Sequence, residues 1–144
     1  VNVAGLMNVK VSVSAHPILV DGDKAQLEQA LLNLIKNATE SGSELERIEV
    51  SLSQQQEQTL LSVTDGGQGM SEQQLQQALL PFYTTKHQGS GLGLALCNDI
   101  VVAHAGKLTI RNLESEEITI GLQVVITLPL SKLNSVNLNG VSTS

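Results

Sequence analysis

Aromatic residues are almost missing from this chain. It holds one phenylalanine, one tyrosine and no tryptophan in 144 residues. The core must therefore be aliphatic, built from the Leu, Val, Ile and Ala that make up most of its 41% apolar content. Cysteine occurs once, at Cys97, so no internal disulfide can form, and the chain fits a reducing, cytoplasmic compartment. No apolar run approaches the roughly 18 residues of a membrane-crossing helix, and Val1 opens no signal peptide. Direct membrane contact is not expected, although a longer parent could be anchored. Positive charge is scarce: 8 Lys and Arg stand against 14 Asp and Glu, a net charge of −6. Nucleic acid is thus not an expected partner, because phosphate backbones need clustered cations. A single nucleotide, held by a few local groups, is still allowed.

The length fits one domain, which can bury roughly 68–70% of its unfolded surface without disulfides or metal. We expect that domain over residues 1–130 and a loose Ser/Asn-rich tail over residues 131–144. A chain that begins at Val1 reads as a piece of something longer. There is no internal repeat and no low-complexity block.

Alternation over residues 8–15, "NVKVSVSA", predicts a strand that His16-Pro17 breaks. From Asp23 the period changes: Leu27, Leu31, Leu34 and Ala38 mark one face of a helix with an Asp cap, ended by Gly42. "RIEVSLSQ" and "TLLSVTD" alternate around a polar turn and predict an antiparallel hairpin. Ser71 caps a short helix. A third helix, of about twelve residues, runs from Gly93 and is closed by Gly106. "KLTIRNL" and "ITIGLQVVITLPL" supply two last strands. The order predicts an α+β chain: a two-layer α/β sandwich whose mostly antiparallel, mixed sheet is covered on one face by helices.

Three polar stretches interrupt the aliphatic pattern. In "LLNLIKNATES", Asn33 and Asn37 are one turn apart on one face, beside the core stripe. Two carbonyl oxygens at fixed spacing suit a hard cation such as Mg²⁺, but two solvated amides on an amphipathic helix would look the same. In "TDGGQGM", Asp65 ends an apolar strand, and Gly66, Gly67 and Gly69 let the backbone turn sharply and approach a ligand. A plain turn with an exposed Asp is the alternative. In "GSGLGL", Gly89, Gly91 and Gly93 lead into a helix whose first N–H groups could cradle phosphate. Their spacing fits neither a Walker loop nor a dinucleotide fingerprint, and a simple hinge is the other reading.

The joint order is more specific than any part. Asn33-x-x-x-Asn37, then Asp65-x-Gly67-x-Gly69 after a strand pair, then "PFYTTK", then Gly89-x-Gly91-x-Gly93 at a helix start, resembles the N, G1, F and G2 boxes of the catalytic ATP-binding domain of sensor histidine kinases. Gyrase, heat-shock chaperone and MutL ATPase domains are the wider relatives. The resemblance covers residues 14–129 and implies a Bergerat-type sandwich. It implies that Asn37 coordinates Mg²⁺ and that Asn33 supports the metal shell and phosphates. Asp65 would accept a hydrogen bond from the adenine amino group, with Gly67 and Gly69 letting the purine lie on the backbone. Gly89, Gly91 and Gly93, with Leu92 between them, would lie under the phosphates. Thr85 and Lys86 would belong to a mobile lid, Lys86 reaching the terminal phosphate. Phe82 would anchor that lid or dock on a partner domain, and Tyr83 would cover the nucleotide edge, unless both only complete a small apolar cluster.

The chain departs from the pattern in places. Gly66 and Gln68 stand where the family often has Asn and Pro, Leu79 where a Phe is common, and the last strand lacks the usual Thr or Ser and Phe. None of His16, His87 and His104 has the acidic successor of a phosphoacceptor histidine. The resemblance therefore implies a catalytic half that donates the γ-phosphoryl group of ATP to a histidine on a separate dimerisation domain, with a response regulator downstream. The alternatives are an ATP hydrolase, a serine kinase of the same fold, or a nucleotide-binding module without transfer activity. A hydrolase would carry a Glu base where Asn33 stands.

Overall fold

The computed structural model describes residues 10–13, 18–41, 44, 47–80 and 93–131. In chain order they form β1 (Lys10–Val13), α1 (Lys24–Glu40), β2 (Glu49–Gln55), β3 (Gln58–Asp65), α2 (Glu72–Gln77), α3 (Gly93–Ala103), β4 (Lys107–Ser115) and β5 (Ile118–Pro129). The five strands make one sheet in the order β1-β2-β3-β5-β4. β1 runs parallel to β2, and every other pairing is antiparallel. The mixed, mostly antiparallel α+β sheet is the one expected. No described helix is long and apolar enough to cross a membrane.

Register shows which face is covered. Val50, Val63, Val124 and Ile110 lie opposite one another across four strands, and so do Leu52, Leu61, Ile126 and Leu108. Directly opposed residues share a face. All of these side chains except the half-buried Leu52 join Leu34 and Ile35 of α1 and Val101 of α3 in one aliphatic core. The other face is polar: the Arg111 Nε–H donates to Gln123 Oε1 at 2.9 Å, and Gln123 Nε2 donates to Thr64 Oγ1 at 3.3 Å. The helices thus cover one face only. They stop short of β1, where Val11 and Val13 are 58% and 64% exposed although they share the core face.

Local signals set the helix starts. Asp23 caps α1, its Oδ1 accepting from the Gln26 N–H at 3.1 Å. Ser71 and Gln74 form a reciprocal capping box on α2. The deepest residues of α1 are Ala30, Leu34, Ile35 and Ala38, whereas Leu27 and Leu31 are only partly buried. The stripe is rotated because α3 packs close to Ala30, and the Cys97 thiol donates to the Ala30 carbonyl at 3.2 Å. His104 ties the other ends together. Its Nδ1–H donates to the Ile100 carbonyl at 2.7 Å, and its Nε2 accepts from the Asp23 N–H at 3.0 Å. These two bonds make His104 a clasp between the end of α3 and the start of α1.

Two ends differ from expectation. The left-handed residue after α3 is Ala105, at φ 61°, and not Gly106. Gly106 is needed for closeness instead, since a Cβ there would meet the Thr127 carbonyl of β5. Ser131, expected to open the loose tail, is buried; its N–H donates to the Leu19 carbonyl at 2.8 Å and its hydroxyl to Asp21 Oδ1 at 2.9 Å. The rest of that expected tail, residues 132–144, lies outside the described residues, as does Gly42.

The β4–β5 hairpin closes through Glu116 and Glu117, at φ 51° and 66° between the paired Ser115 and Ile118. A two-residue loop with both φ positive is a type I′ turn, which favours Asn-Gly. Left-handed backbone costs a residue with a Cβ roughly 1–2 kcal/mol. Replacing Glu116→Asn and Glu117→Gly together should therefore stabilise the fold by about 1–2 kcal/mol. Chemical denaturation should show a higher midpoint with unchanged slope. A lower midpoint would mean that the two glutamates make stabilising contacts of their own.

Candidate functional site

Asn33 and Asn37 both sit half-buried on the edge of α1, as their spacing predicts, but they meet different neighbours. Asn33 Oδ1 accepts from Gln29 Nε2 at 3.0 Å, and its side chain also hydrogen-bonds Cys97 on the second turn of α3. Burial pushes the Cys97 thiol up to about 12, with the Asn33 bond working the other way, so Cys97 stays protonated and is no nucleophile. Asn33 thus marks the end of the site beside the first turns of α3, which opens at Gly93. Asn37 lies one turn along α1, on the wall of a cavity of about 240 Å³. Asn37, Glu40 and Ser41 form one side of it, Gln68, Gly69 and Met70 another, and Gln74 and Leu122 the remainder.

The loop between β3 and α2 is shaped by what presses on its glycines. Asp65, the last residue of β3, is 5% exposed, and its Oδ1 accepts from the Gly67 N–H at 2.8 Å. Ser41, the C-cap of α1, packs where a Cβ on Gly67 would go. Arg47 fills the space beside Gly66 and donates from Nη2 to the Ile120 carbonyl at 3.2 Å. A side chain at position 66 would only have to push the exposed, flexible Arg47 guanidinium aside, so this contact does not by itself require glycine there. Gly69 has φ 70° and lies flat against Asn112 and Thr119. Asn112 then holds Met70 at both backbone groups, Oδ1 accepting from its N–H at 2.8 Å and Nδ2 donating to its carbonyl at 2.6 Å.

The structure brings Asn37 and Gly69 together on the cavity wall. Asp65 and Gly67 are not on that wall; Asp65 stands opposite the wall residue Leu122 on the next strand, and Gly67 directly precedes the wall residues Gln68 and Gly69. Thr85, Lys86, Gly89, Gly91 and Leu92 lie outside the described residues, as do Phe82 and Tyr83. Gly121 was not singled out from sequence, yet a Cβ there would collide with the Asp65 carbonyl, so only glycine lets β5 lie this close. A glycine inside a strand was the available signal. Asn112 also went unnoticed, and an asparagine in mid-strand was its signal. Glu40, Ser41 and Gln74 carry no such mark.

The chemistry of the lining fits a flat, partly polar ligand. Met70 and Leu122 offer apolar contact, Gly69 gives close backbone approach, and a buried carboxylate stands opposite Leu122. The cavity is smaller than the roughly 300–1,000 Å³ of sites that enclose a whole ligand of drug size, and so it suits one part of a nucleotide, its base. Among the described residues no three His, Cys, Asp or Glu cluster as a metal cage. Mg²⁺ needs none, since it usually keeps waters and phosphate oxygens around one or two protein ligands, and an amide oxygen such as that of Asn37 fits that habit.

Known proteins resemble this chain in sequence and fold. The chain matches the model of the histidine kinase-, DNA gyrase B-, and HSP90-like ATPases over residues 22–132. It is similar to sporulation kinase D of Bacillus subtilis (strain 168), 36% identical over 129 residues, which are 88% of this chain and 25% of that protein. It is similar to the sensor histidine kinase ZraS of Escherichia coli O157:H7, 37% identical over 128 residues, 86% of this chain and 28% of that one. The chain therefore spans about a quarter of the length of these relatives. Among solved structures, a mycobacterial sensor histidine kinase, MprB, superposes with a TM-score of 0.76 at 28% identity, covering 88% of this chain and 87% of that one. The nucleotide-free catalytic domain of the histidine kinase ThkA gives 0.70 at 29% identity, covering 85% and 80%. The chain belongs to the histidine kinase-, DNA gyrase B- and HSP90-like ATPase family, as a catalytic domain of the sensor histidine kinase kind.

Proposed function

We propose that this domain binds Mg²⁺-ATP and, within a longer cytoplasmic or membrane-anchored kinase, donates the γ-phosphoryl group to a histidine on a separate dimerisation domain, from which a response regulator takes it. The observation that carries the reading is the cavity between Asn37 and the glycine loop, backed by the buried Asp65. Adenine enters that cavity, with its amino group donating to the Asp65 carboxylate. The Gly67 N–H on Oδ1 holds that carboxylate in one orientation. Gly67 and Gly69 bring the loop backbone onto the purine face.

The triphosphate runs from there toward the start of α3. Asn37 would hold Mg²⁺, and Asn33, fixed by Gln29 and Cys97, would support the phosphates beside it. The metal, when bound, neutralises phosphate charge. The amides of Gly89, Gly91, Leu92 and Gly93 would receive the phosphates at the positive end of α3, with Thr85 and Lys86 closing over them. Phosphoryl transfer asks little more of a protein than position and charge neutralisation. The proton-accepting group then belongs beside the acceptor histidine. Asn33 has no basic atom to activate water, which counts against a hydrolase.

Three outcomes are expected. Asn37→Ala should lower ATP affinity in the presence of Mg²⁺ at least tenfold, to the metal-free level, without unfolding a residue only half-buried; calorimetry with and without Mg²⁺ reads this, and an unchanged affinity removes Asn37 from the metal site. The chain incubated with labelled ATP should take up no acid-labile phosphate, because both ring nitrogens of His104 are engaged and the other histidines lack an acceptor's context. Label on His104 would overturn the division into donor and acceptor domains. The third concerns the base. Guanine presents a carbonyl where adenine presents its amino group, and a buried carboxylate facing a carbonyl leaves two acceptors without a proton. A hydrogen bond to a charged group contributes roughly 1.5–3 kcal/mol, so ATP should be preferred over GTP by about 10²-fold. Asp65→Asn should weaken ATP and narrow the gap, since the amide can turn an N–H toward the guanine carbonyl. Equal affinities in the unmutated protein would move the base pocket away from Asp65.

A further inference from the structure

The two bonds between Asn112 and Met70 resemble those of neighbouring strands. A carboxamide has the same donor and acceptor pair as a peptide group, and here it meets one peptide-bearing residue at both its N–H, 2.8 Å, and its C=O, 2.6 Å. The contact spans 42 residues of sequence. Asn112 stands opposite Leu122 on β5, and Leu122 stands opposite Asp65 on β3. One row across three strands therefore carries the buried carboxylate, a wall residue of the cavity, and the group that holds the loop. Just past Asn112 the β4–β5 register shifts, between Leu113 and Glu114. On the loop side, the left-handed Gly69 lies against Asn112 Oδ1, where any Cβ would strike it.

We propose that Asn112 is a positioning residue for base recognition: its paired bonds to Met70 fix the height of the Gly69–Met70 wall over Asp65, and so set the preference for adenine over guanine. This rests on the nucleotide reading given above. Asn112 touches no ligand itself. It acts through the two loop residues that line the cavity, Gly69 and Met70. Few side chains can replace it. Aspartate is the same size but offers only acceptors, so the Met70 carbonyl would face an oxygen. Leucine and alanine offer neither bond. Without both bonds the loop can shift by the fraction of an ångström that a directional contact to a purine edge does not tolerate. The triphosphate end is held elsewhere, near Asn33 and α3, and does not depend on this wall.

The test compares the unmutated chain with Asn112→Asp and Asn112→Ala in two measurements. Titration with ATP and with GTP, both as Mg²⁺ complexes, should show ATP affinity falling about tenfold or more while GTP affinity barely changes, so that discrimination narrows. A residue that served only the stability of β4 would lower the unfolding midpoint and leave that ratio alone. Hydrogen exchange at the Met70 amide, followed without nucleotide, should be slow in the unmutated chain and faster in Asn112→Ala. Rapid exchange of Met70 in the unmutated chain overturns the clamp, even if a variant fails to fold. Equal losses for ATP and GTP, or an unchanged ratio beside faster exchange, overturn its role in base selection. Failure of the unmutated chain to bind ATP would instead defeat the nucleotide reading, and with it the base selection built on it, while the Met70 exchange rates would still decide the clamp.

Discussion

Gly121 lets the backbone of β5 lie against the carbonyl of Asp65, and most of the site depends on that closeness. With any side chain at position 121 the two strands would have to part at this level. Leu122 could not then sit between Asp65 and Asn112, and the loop would lose the surface on which Gly69 and Met70 rest. The closeness also explains how a carboxylate is kept nearly dry at a strand end. Burying an ionised group is costly unless it is bonded, and the Gly67 N–H supplies a bond from the loop's own backbone. The loop and the carboxylate hold each other in place, and Asn112 holds the loop from the far side.

A second constraint comes from the helices. Besides the Cys97–Asn33 bond, two hydrogen bonds to backbone tie the α1 and α3 segments together: Cys97 on the Ala30 carbonyl, and His104, just past α3, on the N–H of the Asp23 cap. Both contacts use hydrogen bonds to backbone, which fix distance and angle more sharply than aliphatic packing alone. Alanine at position 30 is what lets the helices approach so closely. An aliphatic core with almost no aromatic rings is well suited to this, since its small side chains fill space between elements that have been set by such bonds.

Much of the fold was legible because its signals are local. Asp23 and Ser71 announce helix starts within three residues of themselves, and the two hairpins show in alternation broken by polar turns. Asn37, Asp65 and Gly69 were candidates by residue type and by the family resemblance; Asn37 and Gly69 line one cavity, and Asp65 stands opposite its wall residue Leu122. What sequence could not give depends on distant contacts. The left-handed residue after α3 is Ala105, because Gly106 is claimed by the approach of β5. Ser131 is buried because Leu19 and Asp21 bond it across the whole chain. Asn112 looks like any strand residue until Met70 is placed beside it.

α1 orders these parts along one line. Its rise of 1.5 Å per residue puts Asn37 about 6 Å beyond Asn33, on the same edge. Asn37 belongs to the cavity, beside the glycine loop; Asn33 belongs to the contact with α3. On the proposed reading, a nucleotide that uses both ends would lie along that edge, its base toward the loop and its phosphates toward the start of α3. The cavity end mixes Met70 and Leu122 with polar groups and the Glu40 carboxylate, while α3 begins toward the Asn33 end of that edge. On the proposed reading the base lies at the loop, because the reverse orientation would bring phosphate charge toward the carboxylates of Glu40 and the buried Asp65.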